Sequence, residues 1–393
     1  MAQPRILVVH PSAELYGSDR VLLESVAGFL DHGAHVDVVL ASDGPLRAQI
    51  EERGASVTIE SMPVLRKSML RPRALPGFLA AHVSGLVRGV RLVRRLRPSV
   101  VYVSTLTIPL WNAVARVAGV PLVVHVHEAE RSAGRMLRAG LVAPLRLASL
   151  IVFNSRYAQT TVEMDYPRAA RKSRVVYNGV VGPASTTTAR PSLDGELRLV
   201  YVGRLSPRKG PDVLIEAIAR ARHSQMITLT LVGAVFAGYE WFEEQLRARI
   251  DELGLTPRVR LVGFQPSGYP YLAESDVAVV PSTVDEPFGN TAVEAMLAAR
   301  PAIVSDTSGL REAGAGYDSV VFVSPADAGA LADAIDHTVD EWATLAERAS
   351  TDALRAEERH ALSAYHAQIW AAVQRFVPAA APRERGLAVV AEE

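Results

Sequence analysis

Short apolar runs rich in β-branched residues alternate with longer amphipathic stretches along almost the whole chain, and this rhythm constrains the fold more than any other feature. A strand buried on both faces reads as a continuous apolar run, and two parallel strands need a crossover between them, usually a helix. The pattern therefore predicts βαβ units and parallel sheets. Strands are expected near residues 5–10 ("RILVVH"), 35–40, 56–60, 99–104, 121–126, 150–154 and 173–178. The stretch "GVVGPASTTTARPSLDGE" (179–196), rich in Gly, Pro, Ser and Thr, then interrupts the rhythm and reads as a linker. Strands resume near 197–203, 227–233, 258–263, 277–282, 301–306 and 319–324. Beyond Ala326 the pattern is helical to about Phe376, and "PAAAPRERGLAVVAEE" (378–393) reads as a loose tail.

A rhythm that restarts once in 393 residues predicts two cores. The expected organisation is an α/β domain over 1–180, a linker over 181–196 and a second α/β domain over 197–360. A C-terminal helix over 361–377 is expected to return to the first domain, followed by the tail. Doubly wound sheets bind ligands outside the carboxyl ends of their strands. Residues that carry chemistry should therefore lie just after strands.

Composition narrows the chemistry. With no Cys in the chain, disulfides, thiolate metal sites and a Cys nucleophile are excluded. The amino-terminal apolar run is shorter than a signal peptide requires, and no run approaches a membrane span, so a cytoplasmic protein is expected, at most peripheral on the inner face of a membrane. The net charge of zero conceals a split: residues 1–180 carry 23 Arg and Lys against 13 Asp and Glu, and the remainder 19 against 29. The cations concentrate between Arg66 and Arg97, where nine occur without a single acid. A helix there would set Arg88, Arg91 and Arg95 on one face and Leu79, Val83, Leu86, Val90 and Val93 on another. Such a helix packs as an ordinary basic-edged element or docks on anionic lipid; no nucleic-acid partner is expected.

Two segments carry the chemistry. "YVGRLSPRKGPDVLIEAI" places Gly203, Arg204 and Lys209 on a loop between a strand and a helix. Two cations beside a helix N-terminus suit a diphosphate. Lys209 stands out because the chain has only three Lys, and a compact point charge is what separates Lys from Arg. The second segment, "DEPFGNTAVEA" (285–295), sets Glu286 and Glu294 on either side of a turn that opens a helix. Glu294 sits among apolar neighbours, where an acid is costly unless it meets donors such as sugar hydroxyls. Gly289 and Asn290 would present backbone N–H groups at the helix start. A dehydrogenase would want G-x-G-x-x-G after the first strand, which "HPSAELYGS" does not supply. Neither the paired carboxylates of a retaining glycosidase nor a convincing Asp-x-Asp metal clamp is found.

Taken together, "YGSDRVLLE", "VVYNGV", "GRLSPRKG", "SDVAVVPS", E-x7-E from Glu286 to Glu294 and "EAMLAARPAIVSDTSGLRE" resemble the retaining glycosyltransferases of family four. The resemblance covers nearly the whole chain and implies the GT-B fold, two doubly wound Rossmann-like domains facing a central crevice. It implies that Arg204 and Lys209 hold the diphosphate of a nucleotide-sugar donor, UDP- or GDP-linked, that Glu294 holds the ribose and that Glu286 lies by the transferred sugar. The amides from Phe288 through Gly289 and Asn290 to Thr291 would meet phosphates and sugar, and Phe264 would sit where backbone contacts the base. Gly17 matches the second Gly of a Gly-Gly pair near the donor phosphate, with Tyr16 in place of the first. His127, after the strand at 121–126, matches a His near the reacting sugar, whereas His125 reads as structural. The implied reaction retains anomeric configuration, needs neither metal nor cofactor, and delivers the sugar to a hydroxyl acceptor, lipid-linked or soluble.

Overall fold

The computed structural model describes residues 3–65, 75–128 and 134–377. Thirteen strands form among them, each where an apolar run stands in the sequence. The first sheet contains β1 (Arg5–His10), β2 (His35–Leu40), β3 (Ser56–Ile59), β4 (Val100–Val103), β5 (Leu122–Val126), β6 (Leu150–Phe153) and β7 (Ser173–Val175), in the order β3-β2-β1-β4-β5-β6-β7. The second contains β8 (Leu197–Val202), β9 (Ile227–Val232), β10 (Val259–Leu261), β11 (Val277–Val280), β12 (Ala302–Ser305) and β13 (Val320–Val323), in the order β10-β9-β8-β11-β12-β13. The chain divides into two compact units. One runs to His125 and takes in Pro144–Ile151 and the segment from His366; the other joins Val126–Ala143 to Val152–Tyr365.

Both sheets are doubly wound, because β1 pairs in parallel with both β2 and β4, and β8 with both β9 and β11. Each order reverses once, between β1 and β4 and between β8 and β11. At such a reversal the crossovers leave toward opposite faces, so the loops there diverge and open a cleft at the carboxyl ends. Gly17 follows β1, Arg204 and Lys209 follow β8, and Glu286 follows β11: the sequence motifs occupy the switch points.

In the second unit the core lies on both faces of the sheet. One face buries Leu214, Ile218, Phe242, Leu246 and Ile335, and the other buries Phe288, Val293, Met296 and Leu310. The amino ends of β8 and β11 are tied by Asp276, almost wholly buried, which accepts from the Arg198 amide at 2.8 Å and from the Arg190 and Arg198 guanidinium groups at 2.7 and 2.9 Å. Arg190 lies in the predicted linker, which is thereby pinned to β8 and β11. In the first unit, His366 bonds to Asp31 at 2.9 Å and Glu24 at 3.2 Å, fastening the C-terminal helix Leu362–Val373 against the helix Gly17–Asp31.

The basic helix, Leu75–Leu96, departs from the expected face assignment. Val83 is 65% exposed, and the buried line instead runs through Gly85, Gly89, Val90, Leu92 and Val93. The glycines explain the shift: a Cβ on Gly85 or Gly89 would come within 2.8 Å of Leu110 or Val114, so the helix Leu110–Ala118 packs against bare backbone. Arg88 is not a lone cation either, since it pairs with Glu60 just after β3. Arg66, Lys67, Arg71, Arg73 and the Leu79 side chain lie outside what the structure describes.

Candidate active site

The loop after β8 is held like an extension of the sheet. Gly203 donates to the Val232 carbonyl at 2.9 Å and Leu205 to the Ala234 carbonyl at 3.1 Å, so the intervening Arg204 has a fixed backbone. Its own carbonyl accepts from the buried Tyr201 hydroxyl at 2.6 Å. Burial, and then the negative charge of Glu286, push the Tyr201 phenol far above its ordinary range, so it stays a neutral donor. Gly203 has φ +155° and Gly210 φ +67°; a Cβ on Gly210 would lie 2.1 Å from the Pro281 carbonyl oxygen. Only glycine fits where this loop crosses the one after β11. The two loops are laced by Thr283, whose amide donates to Arg208 O and whose hydroxyl donates to Pro207 O, both at 2.9 Å.

That crossing brings Lys209 to Glu286, Nζ to Oε1 at 2.8 Å, and the same Oε1 accepts from Ser282 Oγ at 3.0 Å. The two segments therefore meet: the predicted diphosphate cation and the first acid of E-x7-E form one ion pair beside the switch point.

The loop that follows is braced from several directions. Asp285 accepts from Tyr157 Oη at 2.7 Å and Ser308 Oγ at 2.6 Å, and the Pro287 carbonyl accepts from Ser155 Oγ. Glu312 caps the helix Arg156–Asp165, its carboxylate accepting from the Arg156 and Tyr157 amides at 2.8 and 3.1 Å. Gly309 lets the Glu286 carbonyl approach where a Cβ would sit 2.1 Å from it. Phe288 turns into the core, 2% exposed, its ring 5.8 Å from both Tyr177 and His360. Its side chain is an anchor, which leaves only its backbone to face a ligand.

Gly289, at φ +138°, then starts the helix Asn290–Leu297. The Asn290 Oδ1 accepts from Asn178 Nδ2 at 2.8 Å, tying the end of the predicted 173–178 strand to the helix start. The amides of Asn290 and Thr291 belong to the first turn, where no intrahelical partner exists. Glu294 is the one charged residue of this helix, half-buried between buried Val293 and Ala295.

The remaining candidates occupy strand ends. Phe264 follows β10 beside the Gly233–Gly263 bridge and is 49% exposed. His127 follows β5 with its ring buried and its amide bonded to the Glu128 carboxylate at 3.0 Å. Gly17 opens the helix Gly17–Asp31 in the first unit. The preceding Tyr16 amide donates to Asp19 Oδ2 at 2.9 Å, while Asp19 Oδ1 meets His10 Nε2 at 2.7 Å and His10 Nδ1 meets Ser104 Oγ at 2.5 Å. A buried chain of polar groups thus sets the Tyr16–Gly17 turn. His125 is fully buried and hydrogen-bonded to Tyr102, as a structural histidine would be. Reasoning from sequence missed Ser282 and the Ser155–Tyr157–Glu312 brace. "SDVAVVPS" and "SDTSGLRE" end on Ser282 and Glu312 without revealing what those side chains touch.

Comparison with known proteins decides the family. The model described as "Glycosyltransferase Family 4" matches residues 16–181, and that described as "Glycosyl transferases group 1" matches residues 196–341. The chain belongs to the family 4 glycosyltransferases. It is 26% identical over 357 residues to D-inositol 3-phosphate glycosyltransferase 1 of Catenulispora acidiphila, with 84% of each chain covered. It is 34% identical over 178 residues to the D-inositol 3-phosphate glycosyltransferase of Jonesia denitrificans, spanning 43% of this chain and 38%, little more than a third, of that relative. The crystal structure of Anabaena Alr3699/HepE in complex with UDP superposes with a TM-score of 0.81 at 23% identity, covering 94% of this chain and all of that one. The fold of this glycosyltransferase is GT-B.

Proposed function

We propose that this glycosyltransferase moves a sugar, with retention of anomeric configuration and without a metal, from a nucleoside-diphosphate sugar to a hydroxyl acceptor. The observation that carries the reading is the meeting of the Arg204–Lys209 loop with the Glu286–Glu294 loop beside the β8/β11 switch point, joined by the Lys209–Glu286 pair. Breaking the donor's anomeric bond leaves negative charge on the diphosphate, and two cations on a preorganised backbone stabilise that charge in the transition state more than in the ground state. Glu294 takes the ribose hydroxyls, Glu286 the hydroxyls of the transferred sugar, and the first-turn amides at Asn290 and Thr291 the phosphate oxygens. The acceptor hydroxyl gives its proton to the departing diphosphate on the same face of the sugar. Incubation with UDP- and GDP-sugars, with the released nucleoside diphosphate and the product anomer read by NMR, tests this directly: an inverted product overturns retention, and no release of either diphosphate overturns the donor assignment.

The two acids have separable signatures. Glu294→Ala is expected to weaken nucleoside-diphosphate binding about 10-fold or more, the scale of a lost hydrogen bond to a charged group. Glu286→Ala is expected to slow sugar transfer while leaving diphosphate affinity undiminished, because it releases Lys209 from the 2.8 Å pair. Calorimetry with the free nucleoside diphosphate showing the reverse pattern would reject both roles.

The acceptor reading we favour is a lipid-linked or cell-envelope glycan precursor met by a cytoplasmic enzyme docked peripherally at a membrane. Arg91, Arg94 and Arg95 and the exposed Val83 and Val87 lie on the solvent side of the helix Leu75–Leu96, a combination suited to an anionic bilayer surface. No helix among the described residues is long and apolar enough to cross a membrane. A soluble acceptor is the second reading, favoured by the relatives named for D-inositol 3-phosphate. Sedimentation with anionic but not neutral vesicles, abolished by high salt and by Arg91→Ser with Arg95→Ser, is the expected result; equal recovery in the supernatant with and without anionic lipid leaves the soluble acceptor.

A further inference from the structure

We infer that Phe236, in the loop after β9, is a positioning residue for Arg204. The inference rests on the donor-binding role given above to Arg204 and extends it to a side chain outside the motifs. The Arg204 guanidinium carbon lies 3.3 Å over the centroid of the Phe236 ring. At that separation a planar guanidinium lies flat on the ring, with its N–H edges directed sideways rather than into the ring face. That orientation suits a fork onto two oxygens of a diphosphate. Phe236 is 37% exposed, an expensive place for a phenyl group whose only task is filling a core.

Backbone geometry brings the ring there. β9 ends at Val232, and Gly233, at φ +148°, passes so close to the neighbouring loop that a Cβ would sit 1.8 Å from the Gly203 carbonyl oxygen. Two residues on either side, Gly203 and Leu205, donate to Val232 and Ala234 at 2.9 and 3.1 Å, so the loops after β8 and β9 run in fixed register past the strands. Phe236 then enters a turn in which its carbonyl accepts from the Tyr239 amide at 2.9 Å and Gly238 takes φ +87°. Arg204 is thus held at three levels: flanking amides on the β9 loop, its carbonyl on Tyr201, and its guanidinium on Phe236. Without the ring the side chain regains rotamers that no longer present the fork, and the entropy of ordering it falls on donor binding.

A double-mutant cycle separates positioning from general loop structure. Wild type, Phe236→Leu, Phe236→Tyr, Arg204→Ala and Phe236→Leu with Arg204→Ala are compared for UDP and GDP affinity by calorimetry and for kcat and KM with the matching nucleotide sugar. A cation–π contact of about 0.5–2 kcal/mol predicts that Phe236→Leu lowers kcat/KM roughly 2- to 30-fold with an unchanged melting temperature. Phe236→Tyr, which keeps the ring, restores the loss, and Phe236→Leu costs nothing further once Arg204 is alanine. A Phe236→Leu enzyme as efficient as wild type, or a penalty that persists undiminished in the Arg204→Ala background, overturns the inference alone. Failure of the wild type to bind either nucleotide overturns the donor reading and this inference with it.

Discussion

Arg204→Ala and Lys209→Ala are each expected to lower turnover about 100-fold or more, the scale on which a preorganised charge partner acts in a transition state. Both side chains stand on a loop whose shape does not depend on them. Gly203, Gly210, Tyr201 and the hydrogen bonds to β9 set its backbone, and neither cation is buried in a core. The melting profile should therefore survive while kcat falls, which circular dichroism and a nucleoside-diphosphate release assay measure side by side. The two variants differ in one respect. Lys209→Ala also strips Glu286 of its ion-pair partner and leaves that carboxylate with Ser282 and the nearby Tyr201 phenol, so it should weaken diphosphate binding more than an isolated cation would. Near-normal rates in either variant, with an intact fold, would remove the diphosphate role from that residue.

The second large effect is on acid stability and comes from His360, at the end of the helix Trp342–His360. Burial first, then the neighbouring Arg359 charge, lower its pKa from 6.5 to about 4, against a weaker opposing hydrogen bond to the Asn178 carbonyl. The ring is neutral in the fold, 5.8 Å from Phe288 and 3.3 Å from Asn178 O. Between pH 6.5 and 4 the unfolded chain binds this proton and the native protein does not, so stability rises with pH across that window. The contribution is fully present above about pH 6.5 and falls by about 3 kcal/mol as the pH drops to 4. Urea unfolding at pH 7 and pH 4.5 should show a steeper acid loss for wild type than for His360→Gln, which cannot titrate. Parallel losses in the two proteins would mean that carboxylates alone govern acid unfolding. Because His360 packs on Phe288 and on the Asn178 that holds Asn290, its protonation should also loosen the start of the helix Asn290–Leu297, where we propose the phosphates bind.

The strands were legible because parallel β-sheet demands apolar residues on both faces, a pattern that survives without any knowledge of partners. All thirteen runs named from sequence became strands, shortened by a residue or more where polar residues such as Ser99 and Asn178 leave the sheet. The motif residues stood out in the sequence because two cations precede a helix start and because an acid, Glu294, sits among apolar neighbours on a helix. Burial of the basic helix was misread at Val83 because periodicity locates a stripe but not its phase, and the phase was set by Gly85 and Gly89 against the helix Leu110–Ala118. The Lys209–Glu286 pair was invisible for a different reason. Its members lie 77 positions apart, and only the adjacency of β8 and β11 brings their loops together. Phe236 left no signal at all, since one aromatic residue in a glycine-flanked loop has neither periodicity nor a charge partner in sequence.

The central claim is that the second unit binds a nucleoside-diphosphate sugar through Arg204, Lys209 and Glu294, and equilibrium thermal stability with UDP-, GDP- and ADP-glucose tests it most directly. A ligand that binds only the native protein stabilises it by mass action, about 2.7 kcal/mol at a hundred times its Kd. One of the UDP- or GDP-linked donors is expected to raise the melting temperature of wild type in proportion to the logarithm of its concentration, and to need a markedly higher concentration for the same rise in Lys209→Ala and in Glu294→Ala. A wild-type protein unmoved by all three donors, or stabilised equally in both variants, would contradict the account.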